Sequence, residues 1–82
     1  MNTSNALGVL GANLRAARKQ TFPQDDLRAF ALRIGVSRAT LQRMEKGDLS
    51  VSLGKYYRAA QVLGLSAPFD SLLQPQRSLF DD

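Results

Sequence analysis

The chain has 82 residues, with 11 Lys and Arg against 7 Asp and Glu, 44% apolar residues, and no His, Cys or Trp. That length allows one domain, and without His or Cys there is no Cys/His zinc site, no His-activated nucleophile and no disulfide framework. The seven carboxylates show no spacing that converges on one cavity, so neither an enzyme nor a bound cofactor or metal is expected. The longest apolar run, Ala6 to Ala12, is too short to span a bilayer, and no basic residue precedes it as in a signal peptide. The expectation is a soluble, cytoplasmic chain with no membrane partner.

Charge is unevenly placed. Ten basic and four acidic residues lie between Arg15 and Arg58, a local net of +6, whereas Ala59 onward carries Arg77 against Asp70, Asp81 and Asp82, a net of −2. A basic body with a slightly acidic end suits a polyanion plus a second, different surface, although a plain solvated basic face has the same composition.

Apolar residues recur at spacings of three and four, and no strand-like alternation of any length occurs, so the architecture reads as all-α. The first helix is predicted from about Leu7 to Gln20, capped by Ser4 or Asn5, with Leu7, Leu10, Leu14 and Ala17 on one face; Gly8 and Gly11 weaken its first turns. Thr21 to Gln24 form a connector around Pro23. A second helix starts after Asp25 or Asp26 and buries Leu27, Phe30, Ala31 and Ile34, with Gly35 as its stop. Ser37 caps a third helix, Arg38 to Lys46, with Leu41 and Met44 inward and Gly47 as a left-handed stop. Ser52 caps a fourth, Leu53 to Leu63, with Leu53, Tyr56 or Tyr57, Ala60 and Leu63 inward and Gly64 behind it. Ser66-Ala67-Pro68 opens a short fifth helix through about Leu73, and Pro75 ends it. The expected layout is a domain over residues 1–73 and a C-terminal tail over residues 74–82.

The informative segment is Phe30 to Gly47. Two short helices joined by a tight turn containing Gly, the second studded with Arg and polar residues, is the helix-turn-helix pattern, here about residues 26–46. Ala31 is small where the helices cross. Leu41 and Met44 anchor the second helix while Arg38, Ala39, Gln42 and Arg43 face out, where side chains can reach base edges.

From Leu14 to Leu73 the chain resembles the phage-repressor, Cro and xenobiotic-response-element-type regulators, a resemblance that implies a lambda-repressor-like compact bundle of about five helices. The stretch from Val36 to Leu65, with Lys46-Gly47-Asp48 and Leu53-Gly54, is in particular similar to HipB-type antitoxins, which pair with a HipA-like kinase toxin. The resemblance implies base reading by Arg38, Ala39, Gln42 and Arg43: Arg forks onto guanine, Gln onto adenine, and the Ala39 methyl meets a thymine methyl. It implies phosphate binding by Ser37, Thr40, Lys46 and Lys55, and a structural ion pair between Arg18 and Glu45, the alternatives for Glu45 being an intrahelical pair with Arg38 or a free surface charge. The family's Gln at the start of the second helix is replaced by Leu27 behind Asp25 and Asp26, which leaves a backbone amide for that phosphate, and the preceding connector is about two residues longer than usual.

Leu65, Phe69, Leu72 and Leu73 either close the core or form a two-fold contact, since the family binds palindromic operators as homodimers. Leu79 and Phe80, flanked by Arg77 and two Asp, either fold back, join the dimer or dock on a partner protein. The function so implied is a sequence-specific, autoregulatory DNA-binding repressor, as an antitoxin or as a free-standing phage-type or restriction-modification control regulator. A protein-interaction module without an operator is the reading from a different class, and the basic outer face of the third helix argues against it.

Overall fold

The computed structural model describes residues 7–76 and contains four α-helices in the order α1 (Gly8–Thr21), α2 (Leu27–Ile34), α3 (Arg38–Glu45) and α4 (Leu53–Leu63), followed by a 3-10 turn (Ala67–Ser71). Among the described residues there is no strand, and no helix is long and apolar enough to cross a membrane. The expected fifth helix is thus a five-residue 3-10 turn that ends short of Leu73. Pro68 sits in its first turn, Phe69 N–H donates to Ser66 O at 3.0 Å, and Leu73 lies at φ 61° with its side chain fully exposed. A segment with one anchoring aromatic has little apolar surface with which to stabilise a longer helix.

Capping chemistry explains the boundaries of α2, α3 and α4. Asp26 accepts from the Ala29 amide at 2.8 Å, Ser37 from Thr40 at 3.0 Å and Ser52 from Lys55 at 3.4 Å, each satisfying an amide that the first turn leaves free. Gly35 and Gly64 stop α2 and α4 at φ 72° and 73°, where a Cβ would be strained.

The start of α1 is made differently. Its cap is Leu7, which is extended, half exposed and makes no side-chain capping bond. Leu7 N–H instead donates to Gly47 O at 2.8 Å, and Leu7 O accepts from Gly11 N–H at 3.1 Å. Ser4 and Asn5 lie outside the described residues. Gly11 is buried against the end of α3: a Cβ there would fall 2.5 Å from Gly47 N and closer still to Glu45 O. The glycine expected to weaken α1 is the one that lets α1 and α3 approach backbone to backbone.

Phe30, Leu41 and Met44 are fully buried and pack with Leu14, Ala31, Ile34, Val51, Tyr56 and Ala59. Each large apolar side chain removed from water contributes about 1.5–3 kcal/mol, so α2, α3 and α4 share one core with α1 laid across it. On α4 the inward residues are Tyr56, Ala59 and Ala60. Leu53, expected inward, is 60% exposed, because Val51 just ahead of the helix takes the core position; Tyr57 is exposed and packs edge-on against Phe69 at 5.3 Å.

The longer connector between α1 and α2 is organised by Phe22. Its ring is half-buried against Phe30 at 5.9 Å, the Arg33 guanidinium lies 4.0 Å from its centroid, and Arg33 is also held by Asp25 through two hydrogen bonds. Those bonds keep the Asp25 carboxyl below its ordinary range.

Candidate nucleic-acid interface

The three residues Gly35, Val36 and Ser37 join α2 to α3. Gly35 takes the left-handed conformation, Val36 N–H donates to Ala31 O at 3.0 Å, and half-buried Val36 packs on the core, which fixes the angle at which α3 leaves. Ala31 is 2% exposed at the crossing. On α3, Leu41 and Met44 have no exposed surface, whereas Arg38, Ala39, Gln42 and Arg43 are all exposed. The helix therefore has one face locked into the core and one free for polar contacts. A rigid element of this kind holds side chains in fixed positions for recognition.

The four outward residues are not equivalent. Among the described residues, Arg38 and Gln42 make no side-chain hydrogen bond, while Arg43 makes two: its Nε donates to Asp48 Oδ2 at 3.1 Å and its Nη2 to Ser50 Oγ at 2.7 Å. Asp48 Oδ1 accepts from both the Ser50 amide (2.8 Å) and the Ser50 hydroxyl (2.7 Å). These bonds to Ser50, with that to Arg43, hold the Asp48 carboxyl down at about 2. The Asp48 backbone is itself anchored, its carbonyl accepting from the buried Tyr56 hydroxyl at 2.7 Å. Burial pushes the Tyr56 hydroxyl up, and the Asp48 charge adds to that.

The expected phosphate-binding residues divide into two groups. Thr40 and Lys55 line one depression with Arg43, Ser50 and Ser52. Lys46 lies on another side of α3, with Arg15 and Lys19 of α1 around a depression floored by Ala12 and Ala16. Ser37 is committed at the helix start, where its Oγ accepts from the Thr40 amide and donates to Thr40 Oγ1 at 3.0 Å. Arg28 and Arg38 border a third depression, beside the start of α2. Arg15, Lys19 and Arg28 escaped the sequence reading, although the four-residue spacing of Arg15 and Lys19 places them on one helix face.

Arg18 and Glu45 form a two-armed pair, Nε to Oε2 at 2.6 Å and Nη2 to Oε1 at 3.1 Å, with side chains 6% and 9% exposed. Glu45 is thereby turned to α1 and away from Arg38. Of the residues expected at a dimer or partner contact, Phe69 is half-buried, Leu65 and Leu72 are each 52% exposed, and Leu73 is fully exposed. Leu79 and Phe80 lie outside the described residues. Among the described residues no cluster of acidic side chains is arranged to hold a metal ion.

The fold and the two-faced α3 define a helix-turn-helix domain. A family model described as helix-turn-helix matches residues 14–69, from the middle of α1 to the 3-10 turn. The chain belongs to this family, the xenobiotic-response-element type of DNA-binding helix-turn-helix. No curated protein and no solved structure matches the chain, and nothing in the family match favours the narrower HipB-type resemblance.

Proposed function

We propose that the chain is a sequence-specific transcription regulator that lays α3 in the major groove and acts by binding, without catalysis. The observation that carries this is the division of α3 into a fully buried Leu41 and Met44 face and an exposed Arg38, Ala39, Gln42 and Arg43 face, within a helix-turn-helix family chain. Arg38 and Arg43 supply forked donors for guanine, Gln42 a donor and acceptor for adenine, and Ala39 a methyl for thymine. Thr40 and Lys55 on one side and Lys46, Arg15 and Lys19 on another supply the sequence-independent phosphate contacts.

The test is a comparison of specific and nonspecific affinity. Arg38→Ala and Arg43→Ala should weaken selected-site binding by roughly 5- to 100-fold, corresponding to ~1–3 kcal/mol, and leave binding to scrambled duplex nearly unchanged. Lys46→Ala and Lys55→Ala should weaken both and lower the salt slope by about one unit each. Equal losses on both DNAs for the two Arg variants would reduce α3 to a phosphate contact.

Two-fold binding to a palindromic operator is supported by the exposed Leu65 and Leu72 beside Phe69, which leave apolar surface for a second copy. Autoregulatory repression and pairing with a HipA-like kinase toxin rest on the sequence resemblance alone; a kinase gene of that type adjacent to this one is the observation that would carry them.

A further inference from the structure

Arg43 is held along one edge. A guanidinium has five N–H donors in a flat fork, and here Nε and one hydrogen of Nη2 are engaged by Asp48 Oδ2 and Ser50 Oγ. Both lie on the same edge of the group. Among the described residues Nη1 makes no hydrogen bond, so the Nη1–Nη2 edge at the tip still offers the two parallel donors that a guanine O6 and N7 require. The grip is well founded, since the Asp48 carboxylate holds Ser50 by amide and hydroxyl and the Asp48 carbonyl is tied to the buried Tyr56. A long, rotamer-rich side chain on an exposed helix face is thereby given one direction before any ligand arrives, which reduces the ordering cost of binding.

We propose that Asp48 and Ser50 are positioning residues for specificity: they clamp the inner edge of Arg43 and aim its outer edge at a single guanine, so that this residue reads one base position sharply. The inference rests on the proposed reading of α3 as the recognition helix and adds two residues that do not themselves touch a base. It also runs against bare electrostatics. Asp48 carries a full negative charge close to where phosphates would lie, and its removal should by charge alone strengthen binding to every DNA sequence. A clamp makes the opposite demand on the specific site.

The experiment is selection from a pool of duplex DNA with a randomised central window, carried out with the wild-type chain and with Arg43→Ala, Asp48→Asn and Ser50→Ala. The Asn variant keeps a carbonyl oxygen for the Ser50 amide, so the turn is retained while the carboxylate charge that accepts from Arg43 Nε is lost; Ser50→Ala removes the second clamp without changing charge. The wild type should yield a motif, and Arg43→Ala should flatten one position of it. Asp48→Asn should lower the preference for guanine at that same position by roughly five- to tenfold, a fold-change within the range of one forked contact, with the other positions intact and scrambled duplex bound slightly more tightly. Ser50→Ala should flatten that position more weakly. If Asp48→Asn and Ser50→Ala leave that position unchanged or sharpen it, Asp48 and Ser50 restrain Arg43 without aiming it, and the proposal is overturned while the recognition-helix reading stands. An Arg43→Ala motif identical to the wild type overturns the proposal at its first step. A wild-type chain that selects no motif overturns the functional reading itself.

Discussion

Two guanidinium–carboxylate pairs involve residues of α3, and they share the same charged groups but not the same surroundings. Arg18–Glu45 lies between α1 and α3 with side chains 6% and 9% exposed; Arg43–Asp48 lies at the outer face with side chains 50% and 30% exposed. In the first, each charge is taken out of water and depends on the other, so the pair acts as a bolt between helices. In the second, water screens both partners and stability gains little, which leaves direction, the role proposed above, as what the pair supplies. Glu45 takes both arms of its arginine, whereas Asp48 takes one and leaves the other to Ser50; the first pair serves architecture and the second, in the clamp proposed above, serves aim, and burial decides which.

The comparison breaks first if the buried pair proves dispensable. Glu45→Ala leaves Arg18 charged and enclosed, and should cost about 3–5 kcal/mol in denaturant unfolding; a loss below about 1 kcal/mol would make it no different from a surface pair. Gly11 packs against the backbone at the Glu45 end of this pair. Gly11→Ala forces a methyl into the backbone of Glu45 and Gly47, and should cost about 1–3 kcal/mol as α1 is pushed off α3. Combined with Glu45→Ala, the two losses should add to less than their sum, because the displaced helix has already weakened the pair.

Arg33–Asp25 is a third pair of the same kind, with Arg33 46% exposed and stacked on Phe22. Arg33→Ala should lower the thermal midpoint by much less than Glu45→Ala does, and a comparable drop would show that exposure is the wrong axis of comparison. The smallest effect is a pH dependence. The Asp48 carboxyl sits at about 2 in the folded chain against an ordinary 3.8. Its folded-state pKa is depressed, so its contribution is present above the ordinary value and is lost as pH falls through about 2. The difference in thermal midpoint between wild type and Asp48→Asn should therefore be constant above pH 4 and shrink towards pH 2. A difference that persists unchanged at pH 2 would show that charge is not what Asp48 contributes to stability.

The helix boundaries that were legible in the sequence are those made by local chemistry. Asp26, Ser37 and Ser52 cap, and Gly35 and Gly64 stop, through bonds within a few residues of chain. The inward and outward faces of α3 follow from a 3.6-residue period. What the period could not supply was where a stripe leaves the body. Leu53 continues the Tyr56 and Ala60 stripe in sequence, yet it stands beyond the core edge that Val51 closes. Of the features joining distant segments, the Arg18–Glu45 pair came from the family resemblance and not from the period, whereas two others were invisible: the Leu7 cap depends on Gly47, and the fit of Gly11 depends on Glu45. At the candidate site, Arg43 was legible as outward, but its bonds to Asp48 and Ser50 depend on how the chain turns after Gly47. The separation of Lys46 from Lys55 depends on how α1 and α4 flank α3, which no spacing along one helix encodes.

The bond from Leu7 to Gly47 joins the first described residue of the domain to the turn just after α3, across most of the helix-turn-helix sequence. With Gly8 and Gly11 in its opening turns and no side-chain cap, α1 has little reason to begin where it does until α3 is in place. In kinetic terms this clasp is expected to form late, because it closes a loop of about 40 residues, an entropic cost of about 3 kcal/mol that local caps never incur. The opening turn of α1 should accordingly be the last part of that helix to gain amide protection on refolding. It should also be the first to exchange when the end of α3 moves, so that the start of α1 reports on the element that would face DNA.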